Sequence, residues 1–475
     1  MTPSAPITGS APLSWWKKLG GASSWDFGRA TQVWKPPTGR IWPTHAERAV
    51  ALPDEIFDDD DWNGWDGDDD IDWDRGDITI DRDEINIDHM PSDMPAALEI
   101  LADRCGEIGR DPATLLVSVG INPAWPYVGM RVTGRQRMME QSDVPAIMPA
   151  STAAAGSRAY TASSSQGILL MAEVLYNIAG LRIPLVLSCA NRAVGAPLSI
   201  WNDQQDSMAV RDAGWIQLYC VDNQQAVDST VQAFRIAEQT ELPVMVCMDG
   251  FTLTHTMEIV DLPTQAEVDD YLPPYHFARM LDSAQPRTLG TFVAPEYYSE
   301  TRHAQHVALE RALAVVEQAD REWKKAVGRS AGGLIEQVGR RDAGIAVLTI
   351  GSVGGTFAEA LDQCPPAAPV KLLRLRCFRP FPVAALRKAC RGVSELIVVE
   401  RALSPGMGGI IGTEVRAVFA GVDDAPRVHN VAVGLGGRDV PPEMLARLVE
   451  AARAGKLPTF GIFDLQPEKL PPEDR

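Results

Sequence analysis

From Met94 onward, short apolar runs alternate with longer segments in which apolar residues recur every three or four positions, the pattern of an α/β protein. The spacing predicts a helix over AALEILADRCGEIG (96–109) and a buried strand over LLVSVGI (115–121). SRAYTASSSQG (157–167) reads as a strand running into a Ser/Gly turn, and GILLMAEVLYNIAGL (167–181) as an amphipathic helix. IPLVLSCA (183–190) is the next strand, followed by the polar loop NRAVGAPLSIWNDQQDSM (191–208). A helix over DSTVQAFRIAEQT (228–240) and a strand over LPVMVCMDG (242–250) complete the unit. Strand, loop, helix, strand is the rhythm of a parallel sheet whose functional loops lie at the strand ends.

A Pro-rich stretch and a long charged helix over 301–328 predict a connector across 263–340. A second α/β unit follows, with strands over IAVLTIGS, VKLLRLRCF and ELIVVER, helices over GTFAEALDQ and VAALRKAC, and a turn LSPGMGG leading into a further helix.

The first ninety residues break this pattern. Eight of the twelve tryptophans lie between Trp15 and Trp73, and the stretch 54–88 holds 17 acidic and 2 basic side chains, which accounts for −15 of the net charge of −19. Residues 1–92 therefore read as an acidic, Trp-rich segment, a solvated loop with a few aromatic anchors. A calcium loop is the alternative, since Asp70, Asp72 and Asp74 alternate ahead of Gly76, but Arg75 stands where the tight turn wants Gly and Asp81 where a bidentate Glu is usual. The acidic run would repel phosphate and no basic stripe compensates, so nucleic acid is not an expected partner. No stretch approaches the roughly 20 apolar residues a membrane span needs, and no signal segment is evident, so the protein is expected in the cytoplasm. The seven cysteines form no CxxC pair and no metal-ligand spacing, so no metal site is expected on this chain and any electron-carrying cluster is expected on another. Cys189, Cys220 and Cys247 sit in apolar runs, as buried structural thiols do.

Three places carry candidate chemistry. The turn Ser163-Ser164-Ser165-Gln166-Gly167 opens a helix, so its N–H groups can hold an anion or a polar cofactor edge, although serine caps also merely start helices. Arg192, just after an apolar strand, can grip a carboxylate through two parallel charged hydrogen bonds, as a 2-oxoacid would require, or it can pair internally with Asp203 or Asp206. Asp249-Gly250-Phe251 and His255 follow the next strand, where His255 is either a proton shuttle or a structural hydrogen bonder. The Gly-rich turns at 351–355, 404–409 and 434–437 lack a Walker lysine and a GxGxxG spacing, which points to tight packing.

The block TASSSQGILLMAEVLYNIAGLRIPLVLSCANRAVGAPLSIWNDQQDSM, together with RDAGWIQLY, LPVMVCMDGF, AEVDDYLPPY, GRSAGGLIEQV, LRLRCFRPFP, ERALSPGMGG and GLGGRDV, resembles the alpha subunit of pyruvate:ferredoxin oxidoreductase and its 2-oxoacid relatives over 153–440. The resemblance implies a pyrimidine-type thiamine-diphosphate domain with a parallel sheet (93–262), the connector, and a transketolase C-terminal-like α/β domain (341–475). It implies oxidative decarboxylation of pyruvate or a related 2-oxoacid to acyl-CoA and CO2. Arg192 would contact the substrate carboxylate, Thr8 would stand for the substrate-touching threonine of a YPITP loop, and Ser164, Ser165, Gln166 and Gly167 would face the cofactor.

Thiamine diphosphate and magnesium would be shared with a beta subunit, because no GDG motif occurs here. Coenzyme A would be the co-substrate. Gamma- and delta-type subunits would carry the iron–sulfur clusters, with ferredoxin or a similar acceptor beyond. Counting back from Gly156 places the cofactor-activating glutamate of the family at Ser142, two residues from Glu140. Either Glu140 serves after a small shift, or the site is altered, or the segment before Ala153 is not the native reading of the gene. An altered site would make the chain a non-catalytic scaffold of the same complex, with the acidic arm as a docking element.

Overall fold

The computed structural model describes residues 144–282 and 288–474. The acidic segment, and the helix and strand expected over 96–109 and 115–121, lie outside the described residues.

The first module begins with α1 (Val144–Ala154), β1 (Tyr160–Ser163), α2 (Gln166–Leu170), α3 (Ala172–Gly180), β2 (Val186–Asn191) and α4 (Gln205–Ala209). It continues through β3 (Ile216–Tyr219), α5 (Asn223–Thr240) and β4 (Val244–Asp249). β1, β2, β4 and β3 lie side by side in that order, all parallel. β2 and β4 are almost wholly buried, as a parallel sheet covered on both faces requires, and that is why they read as unbroken apolar runs.

α5 is capped by Asp222, whose carboxylate accepts the Gln225 N–H at 2.7 Å. Its Ala226, Ala233, Ile236 and Ala237 pack between the sheet and the long helix that follows. After α6 (Gln265–Tyr271), α7 (Pro295–Val327) starts six residues earlier than the sequence pattern predicts, because Pro295 sits in the first turn, where its missing N–H costs nothing. The buried Ala312, Val316, Ala319 and Trp323 of α7 form one stripe at three- and four-residue spacing.

The second module contains β5 (Ile335–Gly339), β6 (Ile345–Thr349), α8 (Val353–Gln363), β7 (Val370–Leu375), β8 (Cys377–Arg379) and α9 (Val383–Ala389). β9 (Glu395–Glu400), α10 (Ile410–Phe419), β10 (Arg427–Ala432), α11 (Met444–Arg453) and β11 (Gly461–Ile462) complete it. Its sheet runs β11-β10-β9-β6-β7-β5, parallel apart from β5, which falls in the stretch expected to be connector and forms the antiparallel edge.

VKLLRLRCF, expected as one strand, is divided between the two sheets. β7 belongs to the second sheet, whereas β8 pairs antiparallel with β3 at the edge of the first. The crossing is made at Arg376, which is fully buried. Its guanidinium donates to Ser229 Oγ at 3.0 Å, Gln232 Oε1 at 2.9 Å and Gly333 O at 3.0 Å. A buried cation with this many acceptors is a fixed joint, since each of them would be left unsatisfied without it. One cluster of buried apolar side chains, including Leu187, Tyr219 and Cys247 from the first sheet and Leu348, Leu373 and Val398 from the second, runs through both modules. Among the described residues, no helix is long and apolar enough to cross a membrane.

Candidate functional site

The carboxyl ends of the parallel strands β1, β2 and β4 carry the candidate residues. Asn191 and Asp249, the last residues of β2 and β4, face one another in register. The loops leaving β1 and β2 are tied together by three bonds. Arg192 Nε donates to Ser164 Oγ at 2.9 Å, Ser165 Oγ to the Ala193 carbonyl at 2.5 Å, and the Ser165 N–H to Asp206 Oδ2 at 2.8 Å. Ser165 has φ 50°, a backbone conformation that a serine keeps only where such bonds impose it.

Asp206 is the centre of this arrangement. It is wholly buried and accepts five hydrogen bonds: Ser165 N–H, Arg192 N–H (2.9 Å) and the Cys189 thiol (3.7 Å) on Oδ2, and Asn191 Nδ2 (2.8 Å) and its neighbour Ser207 N–H (2.8 Å) on Oδ1. Burial pushes its carboxyl above the ordinary range, against the pull of these bonds. Asn191 Nδ2 also reaches Ser207 Oγ at 2.6 Å, which in turn lies 2.7 Å from the Tyr219 hydroxyl.

Neither Asp203 nor Asp206 pairs with the Arg192 guanidinium. Among the described residues its guanidinium makes no ion pair, and Asp206 holds its backbone N–H instead. The anion expected at the serine turn is therefore the chain's own Asp206 on the Ser165 N–H, while the Gly167 and Ile168 N–H groups donate to Ser164 O and Ser165 O within the turn. The Gln166 side chain is exposed beside Gly195, where a Cβ would come within 2.8 Å of Gln166 Nε2. Gly250 is equally confined: a Cβ there would stand 2.6 Å from the Asn191 carbonyl oxygen and 2.9 Å from Arg192 Cγ.

The second module closes the back of the site. Buried Asp249 accepts from Gln204 Nε2 (2.9 Å), the Ser352 N–H (2.9 Å) and Ser352 Oγ (2.5 Å), and lies 3.5 Å from Arg401 Nη1. The Gln204 N–H donates to the Arg401 carbonyl, and the Gly436 N–H to Asp203 Oδ2 at 3.3 Å. Burial raises the Asp203 carboxyl to about 6. The glycine turns serve packing, as expected: a Cβ on Gly351 would strike Gln204 Nε2 at 2.4 Å, and one on Gly409 would strike Asn430 Oδ1 at 2.0 Å.

Glu400, at the end of β9, takes the first N–H groups of α10 (Ile410, Ile411 and Gly412, at 2.9, 2.9 and 3.1 Å) and Asn430 Nδ2 at 2.6 Å. His255 is exposed, stacked on Phe251 with ring centroids 4.3 Å apart and bonded to Thr254 Oγ1 through Nδ1, so it is engaged within its own turn. Burial pushes the Cys189 thiol well up and that of Cys220 to about 12, which keeps both protonated and unreactive.

Ser164, Ser165, Gln166, Gly167 and Arg192 are thus brought together; Thr8 and Glu140 lie outside the described residues. Asp206, absent from the expected site residues except as an ion-pair partner, is the residue that joins them. The exposed Gln166 amide, whose Oε1 accepts from Ser165 Oγ, keeps its NH2 group to donate and a second lone pair on Oε1 to accept, a set that suits an aminopyrimidine edge. Among the described residues, no group of three His, Cys, Asp or Glu side chains is arranged to hold a metal ion.

Comparison with known proteins bears on this geometry. Residues 130–321 match the family described as pyruvate flavodoxin/ferredoxin oxidoreductase, thiamine diphosphate-binding, and residues 343–445 match the pyruvate:ferredoxin oxidoreductase core domain II. The chain is 44% identical over 298 residues to the pyruvate synthase subunit PorA of Methanothermobacter thermautotrophicus, covering 62% of this chain and 76% of that one. It is 39% identical over 339 residues to the PorA subunit of Methanosarcina barkeri, covering 70% and 84%. It is 37% identical over 302 residues to the ketoisovalerate oxidoreductase subunit VorA of Pyrococcus abyssi, covering 63% and 76%.

Proposed function

Because the chain belongs to the pyruvate flavodoxin/ferredoxin oxidoreductase family, as a 2-oxoacid oxidoreductase subunit with a thiamine diphosphate-binding domain, we propose that it supplies the substrate grip of a site shared with a partner subunit and that pyruvate is the 2-oxoacid. The observation that carries this reading is the Arg192 guanidinium, held by Ser164 at the carboxyl edge of the sheet and paired with no carboxylate of the described chain. A planar fork in that position accepts a carboxylate through two parallel charged hydrogen bonds. The higher identity to the two pyruvate synthase subunits than to the ketoisovalerate subunit supports pyruvate.

In this reading Gln166, with the Ser164 and Ser165 turn, holds the aminopyrimidine edge of the cofactor, and Glu140 holds its ring nitrogen. Thr8 touches the substrate. Bound thiamine diphosphate supplies the carbanion chemistry that releases CO2 from a 2-oxoacid. Arg192 fixes the carboxylate so that the 2-oxo carbon faces the cofactor and the C–C bond to be broken is held in one orientation, which removes rotational freedom before reaction. The partner subunit holds the diphosphate and magnesium. Further partner subunits carry the iron–sulfur clusters that accept electrons, and coenzyme A accepts the acyl group in the cytoplasm.

The test is Arg192→Lys in the reconstituted complex. Lysine keeps the charge but not the fork, so the KM for pyruvate should rise about 30-fold, the equivalent of roughly 2 kcal/mol for one strong charged pair. An unchanged KM would remove Arg192 from the substrate site. Glu140→Gln should abolish turnover while the complex still assembles; unchanged turnover would remove Glu140 from the mechanism.

A further inference from the structure

The buried carboxylate behind the two loops has no role in the reading above, yet its hydrogen bonds single it out. We propose that Asp206 is a positioning residue for the 2-oxoacid grip, setting Arg192 and the Ser164–Ser165 turn in one fixed relation by holding a backbone N–H of each on the same oxygen. This rests on the assignment of Arg192 to the substrate carboxylate.

Two properties of the site argue for it. The first is reach. Ser165 leaves β1 and Arg192 leaves β2, and Asp206 Oδ2 accepts from both, at 2.8 and 2.9 Å. No other single atom described here bonds to the backbone of both loops. Because Arg192 Nε is in turn held by Ser164 Oγ, the guanidinium is located at both ends, at its backbone by Asp206 and at its head by the serine turn that Asp206 also holds. The second is donor matching. Four of the five groups around the carboxylate are N–H donors, two on each oxygen, and the fifth is the Cys189 thiol, which also donates to Oδ2. An amide of the same shape cannot replace it, because either orientation turns an NH2 group toward two donors. The arrangement therefore demands a carboxylate that accepts at both oxygens. Asn191 adds a further constraint, since its Nδ2 fixes Oδ1 from the end of β2 itself.

The experiment is a double-mutant cycle in the assembled, thiamine diphosphate-loaded complex, using Asp206→Asn, Arg192→Ala and the pair. Two quantities are measured: kcat and KM for pyruvate, and the affinity for oxamate, an unreactive carboxylate of similar shape, by calorimetry. Asp206→Asn should raise KM and weaken oxamate by about 30-fold, as loss of the grip would, with kcat changed by no more than about 3-fold. In the Arg192→Ala background the same change should alter neither quantity by more than about 2-fold, because the group being positioned is gone.

Independent effects that multiply in the double variant would overturn the proposal, as would a fall in kcat with KM and oxamate affinity unchanged. If Asp206→Asn does not assemble, Asn191→Ala takes its place in the cycle: it removes one of the five donors, and its few-fold effect must also vanish without Arg192. Persistence there would overturn the proposal. A wild-type complex without 2-oxoacid turnover would overturn the substrate assignment and this proposal with it, whereas an active wild type with multiplying effects overturns the proposal alone.

Discussion

Gly250→Ala adds one methyl group at a confined point of the site, and its effect can be worked out from the neighbours. The new Cβ would lie 2.6 Å from the Asn191 carbonyl oxygen and 2.9 Å from Arg192 Cγ. Ordinary contact needs roughly 0.8 Å more at the carbonyl oxygen and roughly half an ångström more at Cγ. The Arg192 side chain can swing, but the Asn191 carbonyl is backbone and already accepts the Gly250 N–H at 2.9 Å, so the two segments must separate together.

Overpacking of this kind costs about 1–3 kcal/mol of stability, which in a chain of this size lowers Tm by about 5 °C or less. The larger effect falls on the guanidinium. A shift of about half an ångström at Asn191–Arg192 lengthens a charge-assisted pair enough to forfeit much of its roughly 1.5–3 kcal/mol, so kcat/KM for the 2-oxoacid should fall about 10- to 30-fold. Steady-state dye reduction at saturating thiamine diphosphate, with Tm read by calorimetry, tests both parts. Wild-type kcat/KM in a variant that has lost several degrees of Tm would refute the reasoning, because the methyl group would then be absorbed without moving Arg192.

Three further outcomes are expected. Arg376→Met removes the joint between the two sheets and leaves Ser229, Gln232 and Gly333 without their donor, so stability should fall by about 2–4 kcal/mol in denaturant unfolding, and an unchanged midpoint would contradict the joint. Glu400→Gln turns an NH2 group toward the N–H groups at the start of α10 and should cost about 2 kcal/mol, visible as a lower Tm and as faster amide exchange of Ile410 and Ile411.

Asp203 has its carboxyl raised to about 6 from an ordinary value of 3.8, so the folded state binds its proton more tightly than the unfolded state does. Between those two values stability therefore rises as pH falls. Relative to Asp203→Asn, the wild type should gain about 2 kcal/mol on going from pH 7 to pH 4, and parallel pH profiles of the two proteins would contradict it.

Much of the fold is legible because buried parallel strands such as LPVMVCMD are apolar on both faces and cannot be mistaken for surface. The division of VKLLRLRCF between two sheets is not, because a strand that ends in one sheet and resumes in the next keeps the same alternation, and only the acceptors around Arg376 reveal the crossing. At the site, the serine turn and Arg192 are legible as side chains of the right type at the right strand ends. Asp206 is not, because what it holds are backbone N–H groups 14 and 41 residues away. A sequence displays which side chains are present and conceals which main-chain donors need a partner. For the same reason the sequence leaves open an internal pairing of the Arg192 guanidinium with Asp203 or Asp206, whereas the bond to Asp206 is made through the Arg192 amide. The glycines at 351 and 409 were readable as packing residues in kind, but their partners, Gln204 and Asn430, lie far along the chain.

The central claim, that this chain grips a 2-oxoacid for oxidative decarboxylation in a shared thiamine diphosphate site, is tested most directly by assembling it with its partner subunits and measuring dye reduction. With coenzyme A present, pyruvate should drive reduction, with a higher kcat/KM than branched-chain or aryl 2-oxoacids. An intact complex with bound thiamine diphosphate that reduces no dye with any 2-oxoacid would contradict it.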